Sequence, residues 1–316
     1  MVSESHFRVL SHFIVEDVSI VSISTLADQL EWSQGHTSRV VGELESYGYV
    51  HTKETGREKL VSLSDIEPVE QLESLLTEYS HMDLPGLIAG SGLPILYYLD
   101  ERRTAAELAE RSGVSRATVY RRLEEFQRVG VVGKSKSQYR LNDPFTALAS
   151  IARGLAHHTH RQEAEKHTSG LNFYWESHDE YLFACDTEIT ADGFYETGPA
   201  RFGDFGIPLL TRDRRHYFRT ERFAEITPAE LVCHTLLIDD SSRYRTYCML
   251  LIQKQSIDRA QLRKCAEQYL PEPAIDLEAI IDELFQYLET GGETAHEKLP
   301  EWNDFKQTAS EYEVTL

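Results

Sequence analysis

Residues 114–132 read VSRATVYRRLEEFQRVGVV, and they form the centre of the stretch Thr104–Asn142 that decides the fold of this chain. Apolar residues recur at helical spacing on both sides of Ser112-Gly113, a pair that is typical of a turn. Those apolar residues are Leu108, Ala109, Val119, Leu123 and Phe126. The pattern predicts two short helices joined by a turn, which is a helix-turn-helix.

The sequence after the second helix predicts a β-hairpin. Gly130 ends the helix, and the β-branched pair Val131-Val132 begins a strand. Residues 134–137 (KSKS) form a polar turn, and residues 139–141 (YRL) return as the second strand. A hairpin in this place is the wing of a winged helix, so the stretch predicts one complete winged-helix domain.

The outer face of the second helix carries the residues that would meet DNA. Ser115 caps the helix through its hydroxyl, and the side chains that point away from Val119 and Leu123 would enter a major groove. Arginine matches the O6 and N7 atoms of guanine, and hydroxyl groups bind neighbouring phosphates. The candidate DNA-binding residues of this domain are Ser115, Arg116, Ala117, Thr118, Tyr120, Arg121, Lys134, Lys136 and Arg140. Arg122 lies at the edge of the buried stripe, so we predict that it contacts a phosphate or its own domain instead of a base.

The charge of this stretch differs from that of the whole chain. Residues 102–140 contain ten Lys and Arg against four Glu, a net charge of +6, whereas the chain carries a net charge of −20. A basic island in an acidic chain is typical of a surface that binds nucleic acid. Because the charge, the turn, the cap and the hairpin agree in one segment, we favour DNA binding over a merely solvated helix face.

The chain contains an earlier copy of this unit, shifted by 82 residues. Residues 25–50 align with residues 107–132, and seven of the 26 positions are identical. The identical residues of the first copy are Leu26, Ala27, Ser33, Arg39, Glu43, Gly48 and Val50. The segment that follows, HTKETGREKLVSLS (residues 51–64), is its predicted wing, with Gly56 at the tip. The sequence therefore predicts two winged helices.

The first copy resembles the MarR-type winged-helix regulators, and the pair of copies resembles multi-domain archaeal transcriptional regulators. The resemblance covers about the first 145 residues, and it implies that the helix that begins after Ser33 reads DNA. The DNA-binding residues that it implies for the first copy are Ser33, Gln34, His36, Ser38, Arg39, Lys53 and Arg57, with Lys59 beside them on the wing. Residues 25–60 hold four basic and six acidic residues, so this copy either binds DNA weakly or serves mainly for protein contact.

Composition indicates a folded, soluble protein. Apolar residues make up 41% of the chain despite its acidic surplus, which excludes a disordered acidic tail. A surplus of this size resembles the halophilic proteins of salt-loving archaea, whose surface carboxylates hold water. The N-terminal residues lack the basic start and apolar run of a signal peptide, and no apolar stretch reaches the length of a membrane span. We therefore expect a cytoplasmic protein that binds no membrane. The four cysteines are isolated and are predicted to be small core residues.

The predicted fold is mainly α with α+β: two winged-helix domains followed by a C-terminal α+β domain. The predicted boundaries are residues 1–66 for the first winged helix, 67–84 for a linker helix, 85–142 for the second winged helix, 143–168 for a connecting helix and 169–316 for the C-terminal domain. Asp143 and Pro144 are predicted to cap and begin the connecting helix. Its apolar stripe, which predicts packing against a twin helix in a homodimer, consists of Phe145, Leu148, Ile151, Ala152 and Leu155.

The C-terminal domain is predicted to begin with short strands and to continue with helices. The predicted strands are Asn172–Ser177, Tyr181–Asp186, Arg201–Phe205, Ile207–Thr211 and Arg215–Thr220, and the predicted helices are Pro228–Ile238, Arg243–Gln253, Asp258–Tyr269 and Asp276–Leu288. Trp302 and Phe305 in the acidic tail are predicted to pack back on the domain. The pattern resembles the C-terminal half of abortive-infection antitoxins, which implies that this domain holds a nucleotidyltransferase toxin. A small-molecule ligand is the other predicted partner.

The sequence contains no enzyme motif. It lacks a Gly-x-x-x-x-Gly-Lys-Ser/Thr loop, a Gly-x-Ser-x-Gly elbow and a His-Glu-x-x-His motif, so no catalytic residue and no cofactor is predicted. Four histidines lie near the end of the connecting helix, namely His157, His158, His160 and His167. No carboxylate or cysteine joins them at metal-ligand spacing, so no metal is predicted either.

The sequence thus predicts a transcriptional regulator that binds double-stranded DNA as a homodimer and reads the major groove mainly with the helix of residues 115–126. One alternative is an antitoxin-like autorepressor that binds a toxin through its C-terminal domain. Another is a metal-dependent DNA-processing enzyme, because Glu180, Asp186 and Glu188 alternate along a predicted strand.

Overall fold

The computed structural model describes residues 2–56, 58–209, 214–222, 224–269, 275–293 and 297–316. Within them the chain divides into two units, Met1–Glu163 and Ala164–Leu316. The first unit contains two winged helices and the second is an α+β domain, as the sequence predicts. The finer boundaries at residues 66, 84 and 142 stay predictions.

The first winged helix consists of three helices and three strands. They are α1 (Glu4–Val15), β1 (Val21–Ser22), α2 (Ile23–Gln29), α3 (Gln34–Ser46), β2 (Val50–Thr55) and β3 (Glu58–Leu63). The strands form one antiparallel sheet in the order β1-β3-β2. Ser3, Ser22 and Ser33 cap the three helices, because each hydroxyl accepts a hydrogen bond from a backbone N–H of the first turn.

Three helices lead from the first winged helix to the second: α4 (Glu67–Glu78), α5 (Leu84–Ile88) and α6 (Gly92–Tyr97). The second winged helix then consists of β4 (Arg103–Thr104), α7 (Ala105–Ser112), α8 (Arg116–Arg128), β5 (Val132–Ser135) and β6 (Gln138–Leu141). Its antiparallel sheet has the order β4-β6-β5, which matches that of the first copy. Thr104 and Glu107 form a capping box at the start of α7.

The elements of the two copies begin at positions 82 residues apart. β1, α2, α3 and β2 begin at residues 21, 23, 34 and 50, and β4, α7, α8 and β5 begin at residues 103, 105, 116 and 132. α3 and α8 also end 82 residues apart. The repeat seen in the sequence is therefore a repeat of structure. The copies differ in the hairpin, whose strands have six residues in the first copy and four in the second.

One continuous hydrophobic cluster holds the first unit together. It includes side chains of both winged helices and of α9 (Ala147–Glu165). The apolar stripe that the sequence assigned to a dimer interface is buried in this cluster. The Tyr49 hydroxyl donates a hydrogen bond to the carbonyl oxygen of Leu155 at 3.0 Å, and Gly154 lies against Pro68. The chain itself covers the stripe, so a homodimer would have to use another surface.

The connecting helix begins three residues later than predicted. Residues 143–146 form a turn, so Asp143 does not cap the helix and Pro144 is not its first residue. The turn is closed by a hydrogen bond of 2.7 Å from the Phe145 N–H to the Asn142 carbonyl oxygen. Phe145 packs on Tyr79 with 4.8 Å between ring centroids, and this burial holds the turn in place.

The second unit contains a four-stranded antiparallel sheet. Its strands are β7 (Asn172–Glu176), β8 (Tyr181–Cys185), β9 (Phe194–Thr197) and β10 (Arg215–Arg219), in the order β7-β8-β10-β9. The predictions for β7, β8 and β10 are confirmed, and β9 was not predicted. The predicted strand Arg201–Phe205 is wrong, because a 3₁₀ helix runs over Pro199–Phe205. Residues 207–209 form no strand, and residues 210–211 of that predicted strand lie outside the described residues.

The described part of the second unit also contains five α-helices, α10 (Pro228–Ile238), α11 (Ser242–Lys254), α12 (Arg259–Ala266), α13 (Leu277–Thr290) and α14 (Trp302–Glu311), and a short 3₁₀ helix, Glu267–Tyr269. A capping box of Thr227 and Glu230 begins α10, as the sequence indicates. Phe305 is fully buried, so the acidic tail packs back as predicted. All four cysteines, Cys185, Cys233, Cys248 and Cys265, are free and buried, which confirms that they are core residues.

Candidate nucleic-acid interface

Local sequence fixes which face of α8 points outward. Gly113 adopts φ +65° in the turn, and the Ser115 hydroxyl accepts a hydrogen bond from the Thr118 N–H at 3.3 Å. The inner face of α8 is anchored by three fully buried side chains, Val119, Leu123 and Phe126. With that stripe in the core, the opposite face has to meet solvent.

The outer face of α8 presents most of the predicted DNA-binding residues together. Arg116, Ala117, Tyr120 and Arg121 are all exposed, and Tyr120 exposes 51% of its surface. Thr118 is half-buried, and its hydroxyl lies 3.0 Å from that of Ser115. Among the described residues, no carboxylate lies within salt-bridge distance of the Arg116 guanidinium. Arg116 therefore offers its full set of donors to solvent or to a ligand.

Arg121 shares a carboxylate with its neighbour. Its Nη1 donates to Oε1 of Glu125 at 2.9 Å, and Nη1 of Arg122 donates to Oε2 of the same residue at 2.8 Å. These two arginines lower the pKa of the Glu125 carboxyl below its ordinary value, with the hydrogen bond from Arg122 as the main cause. An exposed helical ion pair contributes only about 0.3–0.5 kcal/mol, so Arg121 can exchange this partner for DNA at little cost.

Arg122 has a structural role, as predicted from its place at the edge of the stripe. Its side chain is only 13% exposed. It donates to the Ser91 hydroxyl at 3.1 Å and to the Gly86 carbonyl oxygen at 3.3 Å, and it also bonds to the carbonyl oxygen of Ala89. These bonds tie α8 to α5 and to the segment that follows it, and they make Arg122 unavailable as a base reader.

The second wing adds further positive charge. Lys134 lies 4.9 Å above the ring of Tyr139, and Lys136 occupies the turn with φ +56°. Arg140 is exposed between two buried residues, Tyr139 and Leu141. The structure thus leaves the three predicted wing residues of this copy accessible.

Arg102 lies beside the second wing, and the sequence did not single it out. It precedes β4, in which Arg103 pairs with Tyr139 of β6, so the antiparallel register continues toward Arg102 and Arg140. Together with Lys134 and Asn142 these two arginines line a depression of about 260 Å³. The chain separation between residues 102 and 140 hid this neighbourhood, and only the strand register would have revealed it.

The first copy presents a weaker basic face. Ser33, Gln34, Ser38 and Arg39 are exposed on or beside α3. His36 is half-buried and occupied inside the copy: its ring packs edge-on against Trp32 at 4.7 Å, its Nε2 lies 3.4 Å from the Ser5 hydroxyl, and its Nδ1 lies 3.1 Å from the Arg39 guanidinium. His36 and Arg39, two of the DNA-binding residues implied by the resemblance, therefore contact each other.

Acidic residues of α3 compensate part of the positive charge of the first copy. Lys53 is exposed, whereas Lys59 donates to Glu45 at 3.1 Å. Glu43 accepts a hydrogen bond from the buried His6 at 2.8 Å, and burial lowers the pKa of that histidine. Arg57 lies outside the described residues. These pairs agree with the count of four basic and six acidic residues in residues 25–60, which favours the second copy as the main basic surface.

The structure separates the three carboxylates of the nuclease alternative. Glu180 and Asp186 lie at opposite ends of β8, roughly 20 Å apart at 3.4 Å per residue. Glu180 is buried and paired with Arg222 and Thr220, whereas Asp186 pairs with Arg214 at 3.4 Å. Glu188 lies 3.6 Å from Arg215. These acids bind separate arginines and do not converge on one metal position.

The histidines near the end of α9 point to different partners. His158 donates to the Tyr47 carbonyl oxygen at 2.8 Å, and the ring of His167 packs on Phe194 at 5.2 Å. His160 is buried and His157 is exposed. In the part of the chain that the structure describes, no three His, Cys, Asp or Glu side chains are grouped to hold a metal ion.

Cys233 and His234 are adjacent on α10, and their side chains contact different partners. His234 is fully buried, with Nδ1 2.8 Å from the Thr197 hydroxyl and Nε2 2.8 Å from the Tyr269 hydroxyl. Burial lowers the pKa of His234 to about 3. The Cys233 thiol contacts Cys265, and this contact together with burial raises its pKa.

Three family models match parts of this chain. A model described as the sugar-specific transcriptional regulator TrmB matches residues 96–146. The chain carries a transcriptional-regulator domain. A domain of unknown function, DUF7343, matches residues 22–64, and a C-terminal domain model, HVO_2833_C, matches residues 191–314. No curated protein and no solved structure matches the chain.

The regulator match covers the whole second winged helix, including α8 and its hairpin, and it supports a DNA-binding transcriptional regulator. The MarR-type, antitoxin, archaeal and halophilic features of the resemblance stay predictions. Among the described residues, no helix combines the length and the apolar character needed to cross a membrane.

Proposed function

We propose that this regulator reads the major groove of double-stranded DNA with α8 and holds the neighbouring backbone with its second wing. The observation that carries the proposal is the outer face of α8, where Arg116, Ala117, Tyr120 and Arg121 are exposed together next to a basic hairpin. This face lies in an otherwise acidic chain. Recognition helices of this type contact base edges with their N-terminal residues, which is where these four residues lie.

Each side chain on this face suits a different contact. The Arg116 guanidinium can donate two parallel hydrogen bonds to guanine O6 and N7. Ala117 allows close approach to the groove floor, and the Tyr120 ring can pack against a thymine methyl group. Ser115 and Thr118 at the N-terminus of α8 are placed for a phosphate.

We infer a secondary role for the first winged helix. Its own acids and its His36–Arg39 contact occupy much of its basic surface, so its contribution to DNA affinity is small. Because both copies share one hydrophobic cluster, the first copy serves to hold the second in a fixed orientation. Lys53 and Arg39 remain its DNA-facing residues.

The C-terminal unit is proposed to bind the signal or partner that controls DNA binding. Residues 164–316 carry 15 basic and 29 acidic residues, so this unit repels DNA over most of its surface. The word "sugar-specific" belongs to a model that matches residues 96–146, and it therefore describes no ligand site in this unit. A small molecule and a toxin-like protein stay the two predicted partners, and homodimerisation stays a prediction.

The test begins with selection of bound duplexes from a randomised pool by the purified full-length chain. Arg116→Ala and Arg121→Ala should each weaken binding to the selected sequence by about 1–3 kcal/mol, roughly 5- to 150-fold, and should relax the preference at one base pair. Arg39→Ala is the matched control, because Arg39 aligns with Arg121 in the repeat. Unchanged affinity in both α8 variants, or a larger loss in Arg39→Ala, would reject α8 as the reader.

A further inference from the structure

A row of three residues crosses the outer face of the second wing sheet. Arg103 pairs with Tyr139 and Val132 with Leu141, so Arg140 lies opposite Gly133 on β5 and next to Arg102 on the other side. Arg102 and Arg140 are both exposed. Arg140 is therefore the middle member of the row, between Arg102 and Gly133, on a face that alternates with the buried one.

This pairing of like charges is unfavourable without an anion. Residues directly opposite each other on neighbouring strands lie about 5 Å apart, and like charges there destabilise the sheet. Among the described residues, no carboxylate lies within 4 Å of either guanidinium. The two acids that precede Arg102 in the chain lie near other arginines: Asp100 binds Arg153 and Arg103, and Glu101 lies 3.6 Å from Arg103.

Glycine keeps the β5 side of this row open. A Cβ at Gly133 would lie 2.5 Å from Oδ1 of Asn142, whose amide nitrogen donates to the Gly130 carbonyl oxygen at 2.9 Å. Any side chain at position 133 would thus push Asn142 and fill the depression. The walls add neutral donors from Ser135 and Gln138 and the ammonium of Lys134.

We propose that this depression, which we call the wing cradle (Arg102, Gly133, Lys134, Arg140 and Asn142), binds one phosphate group, and that a backbone phosphate of the bound DNA supplies it. The inference rests on the proposed function for the source of the phosphate. It adds Arg102 to the DNA-contacting residues and gives it a role that is independent of base sequence. Three cations and neutral donors around an open floor suit the recognition of a phosphate group.

The test measures the salt dependence of DNA binding by the full-length chain. Each phosphate contact with B-DNA contributes about 0.9 to the slope of log affinity against log salt concentration. Arg102→Gln and Arg140→Gln should each lower that slope by about 0.9. Each should also weaken binding to the selected duplex and to an unrelated duplex by the same factor, because a phosphate carries no sequence information. Lys306→Gln, an exposed lysine on α14, is the control for net charge and should leave the slope unchanged.

A second arm identifies the source of the phosphate. Inorganic phosphate is titrated at constant ionic strength while the heat of binding is recorded. Binding that Arg102→Gln abolishes, together with an unchanged DNA slope, would keep the cradle as a phosphate site and overturn DNA as its occupant. An unchanged DNA slope without phosphate binding would overturn the proposal.

The two proposals can fail separately. If Arg116→Ala leaves sequence preference intact while Arg102→Gln lowers the slope, the cradle stands and α8 is not the reader. If the α8 variants lose preference while Arg102→Gln and Arg140→Gln keep the full slope and bind no phosphate, the reader stands and the cradle is rejected. Circular dichroism of each variant establishes that the loss is not one of folding.

Discussion

Two adjacent arginines show how one position along a helix decides the role of a side chain. Arg121 is 61% exposed and Arg122 is 13% exposed, although both bind the same carboxylate, Glu125. A step of one residue turns a side chain by about 100° around the helix axis. The sequence predicts this difference, because Arg122 lies three residues after the buried Val119.

Removing the inner arginine should destabilise the fold. Arg122→Gln should lower the free energy of unfolding by about 2–4 kcal/mol, because it deprives the carbonyl oxygens of Gly86 and Ala89 of a charged donor. Urea unfolding followed by circular dichroism measures this change. Arg121→Gln is the matched control, and it should change stability by no more than about 0.5 kcal/mol. Equal effects of the two variants would contradict the assigned roles.

A buried histidine makes the second unit sensitive to acid. The pKa of His234 is lowered from an ordinary 6.5 to about 3, so the unfolded chain takes up a proton that the folded chain refuses. Between pH 6.5 and pH 3 the free energy of unfolding should therefore fall as pH falls, by up to about 1.4 kcal/mol per pH unit. Urea unfolding at pH 7 and at pH 5.5 tests the direction.

The control for that acid effect is spectroscopic. The imidazole resonances of His234 should keep their positions from pH 7 to pH 5. A stability that stays constant or rises over this range, or a His234 resonance that titrates near 6.5, would contradict the argument.

At the scale of elements, the two copies contain a pair of equivalent glycines in different surroundings. Gly48 and Gly130 follow α3 and α8 with φ +73° and φ +80°. A Cβ at Gly48 would lie 2.9 Å from Nε2 of His158 and 3.1 Å from the amide carbon of Gln162, whereas a Cβ at Gly130 would meet nothing within 4 Å. The first copy is therefore docked on α9 at this turn, and the second copy is open.

Replacing each of these two glycines by alanine should separate the cost of backbone strain from the cost of disturbed packing. Both variants suffer the cost of a left-handed residue, about 1–2 kcal/mol. Gly48→Ala should lose about 1–3 kcal/mol more than Gly130→Ala, because it also displaces His158 from its bond to the Tyr47 carbonyl oxygen. Thermal unfolding of the two variants gives the difference directly. The docking of α9 on this turn would be refuted by equal losses.

Local signals predicted the elements that depend on local chemistry. The capping box of Thr227 and Glu230 gave the start of α10, and the 82-residue repeat gave α3 from α8. Local signals did not predict the elements whose conformation depends on tertiary packing. β9 is a strand because it pairs with β10, and residues 143–146 stay out of α9 because Phe145 packs on Tyr79. Arg102 was not predicted as a site residue for the same reason, because only the register of the sheet brings it next to Arg140.

At the scale of the whole molecule, the net charge of −20 and the basic surface of the second winged helix predict opposite effects of salt on the melting temperature and on the affinity for DNA. Repulsion among surface carboxylates weakens the fold, and salt screens it, since the Debye length falls from about 10 Å at 0.1 M to about 3 Å at 1 M. The melting temperature of the chain should therefore rise from 0.1 M to 2 M KCl. Calorimetry measures the rise.

The affinity for DNA should change in the other direction over the same salt range. We propose that the basic face of α8 and the wing bind phosphates; such binding releases counterions, and added salt opposes that release. A melting temperature that falls with KCl, or an affinity that rises with it, would contradict the charge distribution described for the two units.

The single hydrophobic cluster of the first unit limits how its parts can be reused. α5 packs on α1, and Arg153 of α9 binds Asp100 and lies over the ring of Tyr97. A chimaera that grafts residues 85–142 alone onto another protein would expose apolar faces that α1 and α9 now cover, and it would be prone to aggregate. Anyone transplanting the specificity of this regulator has to move residues 1–163 as one module.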